Sequence, residues 1–328
     1  MKPTVNAKDV AKLAGVSQSS VSRVFFDGAK VTEKTRQKVL SAAQELGYRP
    51  NEYARSLITN STRIIGLVMK GIHNPFYPQV LKQFTTSFKK HGYSILFVHT
   101  NNDEIQNEDI ETLLNYNVAG VIITDATMSM NVAEAFKTNH IPLVFFNRKL
   151  TTSDFYSVCC NNLNASRKIA EFLTARSEGP MVYISGNEDT STSREREQGF
   201  AEVLEQRRIP YQKYTSDFTY DGGYETARQM LSEGGAPSAV FAANDIMALG
   251  VMDALRKSGV KIPEQVKVVG FDNIDMASWP AYELTTWEQP IDEMVDETVN
   301  YFLSEIEKYT GLARTVEVEG TFVERSTT

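Results

Sequence analysis

The 328-residue sequence has little of what marks secreted, metal-binding or membrane proteins. Its two cysteines, Cys159 and Cys160, are adjacent and therefore poorly placed to bridge each other. Together with four scattered histidines they lack the spacing of a zinc site, so we expect no metal. No apolar run approaches the roughly 20 residues of a membrane helix, and the N-terminus lacks a secretory signal pattern. We therefore expect a reduced, cytoplasmic protein.

Motifs of common enzyme sites are also missing. The sequence has no G-x-G-x-x-G after a strand, no phosphate-binding P-loop, no H-E-x-x-H and no G-x-S-x-G. Its 41 acidic residues make chance pairs of carboxylates unavoidable, so such pairs do not argue for catalysis. We predict no catalytic residues and no cofactor.

The charge of the chain is unevenly distributed. The first 61 residues contain six lysines and four arginines against five acids, a net charge of +5. Because the whole chain carries −7, the remaining residues carry −12. A basic N-terminal segment on an acidic body indicates that only this segment contacts a polyanion.

The basic segment has the pattern of three short helices. Asn6 and Ser17 are good N-cap residues for two helices separated by Gly15, and a third helix begins at Thr32. Two helices around a glycine turn, closed by a third, form a helix-turn-helix, whose second helix reads bases in the major groove. The alternative is a small three-helix bundle without a ligand.

This segment resembles the DNA-binding head of the lactose/galactose repressor (LacI/GalR) family of bacterial transcription regulators. The resemblance rests on "KDVAKLAGVSQSSVSRVF", "VTEKTRQKVLSAAQELGYRPN" and "ARSL". It implies that Gln18 and Ser19 read bases, with Ser20 and Arg23 beside them. It also implies that phosphates are contacted by Ser17, Ser22, Thr32 and Thr35.

Residues 50–62 form a predicted hinge after this head. Pro50 ends the third helix, and Asn51 can cap a short helix that is too short to be stable alone. The resemblance implies that two such hinge helices pair in the DNA minor groove, where Leu57 wedges between bases and Ala54 permits close approach. The alternative is an ordinary linker.

Residues 63–328 alternate β-branched runs such as "RIIGLVM" and "VAGVIIT" with helical stretches. This is typical of parallel sheets covered by helices, here two α/β subdomains with a ligand cleft between them. The predicted fold is therefore an all-α helix-turn-helix head, residues 1–49, plus an α/β core. The two subdomains are expected at about 63–160 plus 292–320, and at about 161–290 plus the C-terminal strand.

The core resembles the effector-binding core of the same family, which is similar to periplasmic sugar-binding proteins. The resemblance rests on "NPFYPQV", "VFFNRK", "STSREREQGF", "FAANDIMALGVMDALRKSG", "VVGFDN" and "LTTWEQP". It implies effector contacts from Arg196, Asn244, Asp272 and Phe218, and then from Phe76, Asn147, Asn161 and Gln289. Arg196 has a further argument, since a cation early in a helix is disfavoured by the helix dipole and needs a partner.

We therefore predict a nucleoid-associated repressor of carbohydrate-utilisation genes, a homodimer that binds a palindromic operator under the control of a small effector, expected to be a sugar. A homodimer is favoured because no leucine heptad follows the last strand. One alternative is a co-repressor-dependent regulator that responds to a nucleobase or a phosphorylated metabolite. The other is a stand-alone sugar-binding protein, which needs no basic head.

Overall fold

The computed structural model describes residues 5–25, 31–48, 62–100, 105–126, 128–150 and 154–328, in two compact units, residues 1–62 and 63–328. None of the described helices is long and apolar enough to span a membrane. The predicted hinge residues Asn51, Ala54 and Leu57 lie outside the described residues.

The described residues of the first unit form three helices that begin where the sequence predicts. They are α1 (Ala7–Ala14), α2 (Gln18–Val24) and α3 (Glu33–Leu46). Asn6 and Asp9 form a reciprocal capping box at the start of α1, and Gly15 ends this helix with φ of 65°. That left-handed conformation is one that glycine adopts without strain, so the tight turn into α2 follows directly from the sequence.

Small apolar side chains form the core of the first unit. Val10, Val21 and Val39 come from α1, α2 and α3 respectively, and all three are fully buried. Arg36 of α3 also donates a hydrogen bond to the carbonyl oxygen of Val24, at the end of α2 (3.3 Å). The orientation of α2 is therefore fixed by both apolar packing and a polar contact.

One half of the second unit consists of a parallel sheet and the helices that cover it. We call this half the N-terminal lobe. Its strand order is β11-β5-β4-β3-β1-β2. These strands are β1 (Ile64–Met69), β2 (Ser94–His99), β3 (Gly120–Ile123), β4 (Leu143–Phe146), β5 (Tyr156–Cys160) and β11 (Thr315–Val318). The helices are α4 (Phe76–Lys90), α5 (Asn107–Asn115), α6 (Met130–Thr138) and α11 (Ile291–Glu307).

The other half, the C-terminal lobe, repeats this arrangement. Its strand order is β12-β10-β9-β8-β6-β7, with only β12 antiparallel to its neighbour among the described pairs. The strands are β6 (Met181–Ser185), β7 (Tyr211–Thr215), β8 (Ala239–Ala242), β9 (Lys267–Asp272), β10 (Thr285–Glu288) and β12 (Thr321–Val323). The helices are α7 (Asn162–Arg176), α8 (Ser191–Arg207), α9 (Tyr220–Gly234) and α10 (Asp245–Lys257), with a 3₁₀ helix at Asp275–Ser278.

The described chain passes between the lobes after β5, after β10 and after β11. Helix α11 follows the second passage and returns to the N-terminal lobe, where the ring of Tyr301 stacks on that of Tyr156 (3.9 Å between centroids). In each lobe the strand order reverses direction beside the first strand, between β1 and β3 and between β6 and β8. Side chains that follow these strands are therefore placed in the crevice where open parallel sheets bind ligands.

Candidate effector cavity and DNA-reading surface

The second helix of the head exposes the side chains that are predicted to read bases. Gln18, Ser19 and Arg23 are exposed, whereas Ser20 and Ser22 are partly buried. Val21 and Val24 face the core from the same helix. The helix therefore has one apolar face for the bundle and one polar face of hydrogen-bonding groups that suit base edges.

Two of the predicted phosphate contacts are N-cap residues. The Ser17 hydroxyl accepts a hydrogen bond from the main-chain N–H of Ser20 (3.1 Å), and the Thr32 hydroxyl accepts one from that of Thr35 (3.3 Å). Both caps remain exposed. The start of a helix carries unpaired N–H groups and a partial positive charge, which suit a phosphate. The roles of these residues on DNA stay predictions.

In the second unit, a cavity of about 990 Å³ lies between the two lobes. Residues after β1, β3 and β4 line one wall, and residues after β6, β8 and β9 line the other. Six of the eight predicted effector residues line it, namely Phe76, Asn147, Arg196, Phe218, Asn244 and Asp272. Among the described residues, no group of His, Cys, Asp and Glu could hold a metal ion.

Arg196 is the buried cation of this cavity, with 2% of its surface exposed. Its Nε donates to Asn162 Oδ1 (2.8 Å) and its Nη1 to the carbonyl oxygen of Ala243 (2.5 Å). The guanidinium also lies over the ring of Phe271, 3.6 Å from the centroid. Its Nη2 has no hydrogen-bond partner within the described structure. A buried donor of this kind is costly unless a ligand or water accepts from it.

Asp272 is a buried acid beside this arginine, and Asp245 is a buried acid near Asp272. Asp272 Oδ1 lies 3.9 Å from Arg196 Nη1 and accepts a hydrogen bond from Gln289 Nε2 (2.7 Å). Burial raises the pKa of Asp272, although the charge of Arg196 opposes the shift. Burial and the charge of Asp272 also raise the pKa of Asp245, which accepts a hydrogen bond from the main-chain N–H of Ile274 (2.9 Å).

Asn147 gives the opposite wall a buried acceptor. It follows β4 with φ of 62°, in the left-handed region that asparagine tolerates better than most residues. Its Oδ1 has no partner in the described part of the chain, while its side chain is hydrogen-bonded to the Tyr77 hydroxyl. Burial and the nearby carboxylate of Asp125 raise the pKa of Tyr77, so this hydroxyl stays neutral. Arg196 Nη2 and Asn147 Oδ1 thus give the two lobes an unused donor and an unused acceptor, and the Ser216 hydroxyl, also on the cavity lining, is a third buried group without a partner.

The apolar side of the cavity depends on Phe218 and Asn244. Asn244 caps α10 through its Oδ1, which accepts from the main-chain N–H of Met247 (3.0 Å), and its Nδ2 donates to the carbonyl oxygen of Phe218 (3.3 Å). The Phe218 ring lies against Gly186, where an added Cβ would come within 2.1 Å of a ring atom. Glycine at this position therefore provides the space for the aromatic wall.

Two predicted effector residues lie elsewhere. Asn161 caps α7, accepting from the main-chain N–H of Asn164 (3.1 Å), and its Nδ2 donates to Glu319 Oε1 (2.7 Å). It therefore serves the passage between lobes and does not line the cavity. Gln289 is buried beside Asp272, donates to that carboxylate and does not line the cavity; its Oε1 has no partner among the described residues, and its role toward an effector stays a prediction.

Asp125 and Asn74 are cavity residues that the sequence reasoning missed. Asp125 follows β3 and accepts hydrogen bonds from the main-chain N–H groups of Lys70 (2.7 Å) and Gly71, after β1. Asn74 is hydrogen-bonded to Asp272 in the opposite lobe. Their positions after a strand and within "NPFYPQV" were available signals, because ligand-binding side chains gather at the carboxyl ends of parallel strands.

The rim of the cavity is acidic on the C-terminal lobe. Exposed carboxylates there belong to Glu188, Asp189, Asp217 and Asp221. Lys70 and Arg148 are on the N-terminal lobe. A negatively charged wall repels an anionic ligand that approaches it, although solvent weakens the effect for exposed groups.

Comparisons with known proteins agree with both parts of this architecture. Residues 6–51 match the family described as bacterial regulatory proteins, lacI family, and residues 65–278 match the periplasmic binding protein domain. The chain is 31% identical to the ribose operon repressor of Escherichia coli K12, over 97% of this chain and 98% of the relative. It is also 31% identical to the HTH-type transcriptional repressor PurR of Edwardsiella ictaluri, over 97% of this chain and 95% of that relative.

A solved structure gives the same result. The lac repressor dimer bound to operator and the anti-inducer ONPF aligns with a TM-score of 0.88 and 27% identity, over 99% of both chains. The similarity thus extends over both the helix-turn-helix head and the two lobes of the core. The predicted fold and family are confirmed: the chain belongs to the lacI family of bacterial regulatory proteins, as a DNA-binding repressor with an effector-binding core.

Proposed function

We propose that this repressor controls carbohydrate-utilisation genes and that its effector is a neutral, polyhydroxylated molecule bound in the cavity. The observation that carries the proposal is the pair of unused buried groups, Arg196 Nη2 and Asn147 Oδ1. A hydroxyl group accepts from one and donates to the other, and a sugar offers several hydroxyls with a C–H face for Phe218. A ligand group that can only accept, or only donate, hydrogen bonds leaves either Asn147 Oδ1 or Arg196 Nη2 without a partner.

The charges around Arg196 argue against a phosphorylated effector. Two of its nitrogen atoms are already hydrogen-bonded within the protein, and Asp272 lies beside it. The protein thus already uses two of the five N–H donors of the guanidinium and balances its charge with a carboxylate, which leaves less for the strong contacts that arginine makes with a phosphate. The acidic rim adds a further repulsion. A nucleobase remains the second candidate, since the aromatic wall at Phe218 can stack on it.

D-ribose is the first sugar to test. Two relatives, from Escherichia coli K12 at 31% identity and from Bacillus subtilis at 30%, carry the name ribose operon repressor. Both alignments cover at least 97% of each chain. This similarity supports a pentose, although the named sugar belongs to those proteins.

We further propose a cytoplasmic homodimer that binds a palindromic operator and has no enzymatic activity. The head segment 1–49 reads DNA through Gln18 and Ser19, and residues 50–62 connect it to the core. The effector then acts by population shift, because a molecule that binds one arrangement of the two lobes more tightly favours that arrangement. The similarity to the lac repressor dimer supports the two-fold assembly.

The test combines thermal shift with DNA binding. We expect D-ribose to raise the melting temperature of the core, and ribose 5-phosphate and adenine to leave it unchanged. Binding to a palindrome selected from random duplexes should weaken steeply with salt, since phosphate contacts release counterions. A shift with ribose 5-phosphate or adenine alone would replace the sugar proposal, and a failure to select any duplex would contradict the proposed DNA contacts.

A further inference from the structure

A single lysine connects the two lobes beside the cavity. Lys149 follows β4, and its Nζ lies 2.6 Å from Glu195 Oε1 of α8 in the opposite lobe and also contacts the Glu317 carboxylate. Its main-chain N–H donates to the Ser191 hydroxyl at the start of α8 (2.9 Å). A different cross-lobe hydrogen bond, from Gln79 to Asp275 (3.0 Å), lies at the surface, where water competes for both groups.

This salt bridge is protected from solvent. The side chains of Lys149 and Glu195 are only 22% and 19% exposed. Burial acts to lower the pKa of Lys149, but its hydrogen bonds to Glu195 and Glu317 outweigh burial and leave that pKa raised. The lysine is therefore charged throughout the physiological range. Because partly buried charges are weakly screened, separation of the two lobes is opposed at this point.

A path of hydrogen bonds joins the bridge to the cavity. Asn162, at the start of α7, is 1% exposed and donates from Nδ2 to Glu195 Oε2 (3.4 Å). Its Oδ1 accepts from Arg196 Nε (2.8 Å). One oxygen of Glu195 thus faces Lys149 and the other faces Asn162. A reorientation of Arg196 therefore breaks or shifts its hydrogen bond to the Asn162 amide, which also contacts the bridge.

We propose that the Lys149–Glu195 bridge is the contact through which an effector held by Arg196 sets the relative position of the two lobes. This inference deepens the proposed function and rests on it for the effector. Lys149 acts here as a positioning residue, because it does not line the cavity and reaches Arg196 only through Glu195 and Asn162. Its loss frees the lobes to take other relative positions even before an effector binds.

The first test needs neither effector nor DNA. Spin labels are placed at Lys90→Cys in the N-terminal lobe and Gln206→Cys in the C-terminal lobe, both exposed positions. The native cysteines are buried, and burial raises the pKa of Cys160 to about 12, so they do not compete for the label. Electron–electron distance measurements then report the separation of the lobes in each variant.

We expect Lys149→Met to shift or widen the distance distribution by more than about 2 Å, on the scale of a loop or domain rearrangement. Arg167→Met is the matched control. Arg167 of α7 pairs with Glu202 (2.6 Å), which lies on α8 like Glu195, but both partners belong to the C-terminal lobe. It should leave the distribution unchanged. Lys149→Arg keeps the charge and should restore the wild-type distribution. Identical distributions for wild type and Lys149→Met overturn the proposal.

The second test measures how strongly effector binding changes the affinity for DNA. In wild type, saturating D-ribose changes the dissociation constant for the selected duplex by some factor. Lys149→Met should reduce this factor at least threefold, while Arg167→Met retains it. If D-ribose changes the dissociation constant of Lys149→Met by the same factor as in wild type, the proposed role of the bridge is contradicted. If wild type does not respond to ribose, the effector assignment is wrong, and the spin-label comparison alone decides the role of Lys149.

Discussion

The head and the cavity present polar groups for binding in opposite ways. On the head, Gln18 and Arg23 stand exposed on a short helix, and an apolar core of small residues only holds that helix in place. In the cavity, Arg196 and Asn147 are buried and incompletely hydrogen-bonded. A long external polymer can be read by exposed groups on a rigid element. A small molecule instead gains affinity by satisfying groups that are already desolvated.

This difference predicts that cavity variants affect both stability and binding, whereas variants on the α2 surface affect binding alone. The largest effect is expected for Arg196→Ala. It removes the partner of Asp272 and leaves a buried charge, which costs about 3–5 kcal/mol of unfolding free energy. D-ribose binding should weaken more than about 100-fold by calorimetry, since 1.4 kcal/mol is tenfold in affinity.

The control for this variant is Arg194→Ala on the same helix. The Arg194 side chain is exposed and does not line the cavity, although it donates to the carbonyl oxygen of Glu188 on the rim (3.4 Å). It should keep both its unfolding midpoint and its ribose affinity. A stable Arg196→Ala protein with unchanged ribose affinity would show that the unused donor is not part of the binding site.

The next effect concerns the head. Gln18→Ala should weaken binding to the selected duplex by about 5- to 150-fold, because a two-pronged contact with a base contributes about 1–3 kcal/mol of discrimination. Its melting temperature should not change, since the side chain is exposed. Fluorescence anisotropy on specific and scrambled duplexes checks this, with Gln44→Ala on the exposed side of α3 as the matched control. Equal losses on both duplexes would mean that Gln18 does not read sequence.

The two regions also differ in how much of them the sequence predicts. The helix starts at Asn6, Ser17 and Thr32 were predicted correctly because a cap acts on residues two or three positions away. The prediction of Arg196 as a cavity residue came from resemblance, and its supporting argument from the helix dipole was wrong. Arg196 is the sixth residue of α8, beyond the first turn where the dipole acts.

Its actual partners explain why local reasoning failed there. Asn162, Ala243 and Asp272 are distant in sequence and meet Arg196 only after the sheet of the C-terminal lobe forms. Long-range contacts also explain why Asn161 does not line the cavity. Its cap of α7 is a local contact, but its hydrogen bond to Glu319 forms only where the chain passes between the lobes after β11. Long-range contacts of this kind are invisible to a pattern of spacing.

A smaller effect is the pH dependence of stability that the buried pair Asp272 and Asp245 causes. The pKa values of Asp272 and Asp245 are raised in the folded state, so the folded protein binds more protons than the unfolded chain above about pH 4, where an ordinary aspartate titrates. Stability of the core should therefore fall as pH rises from about 4 towards neutral. Asp245→Asn removes one titrating group and should flatten this slope, which urea unfolding midpoints at several pH values measure. Asp253→Asn is the control: it changes a partly buried aspartate that does not belong to this pair and should retain the slope.

The smallest effect concerns the α2 cap. Ser17→Ala removes the hydroxyl that accepts from the Ser20 N–H, which costs about 1 kcal/mol of local stability. Amide exchange in α2 should accelerate about fivefold in the full chain, as measured by mass spectrometry, because exchange follows local opening. Ser41→Ala lies inside α3, where alanine is the better helix former, so exchange there should slow slightly or stay constant. If Ser17→Ala leaves α2 exchange unchanged but weakens duplex binding, the hydroxyl acts on phosphate and not as a cap, and the contrast between exposed binding groups and structural ones would no longer hold at this residue.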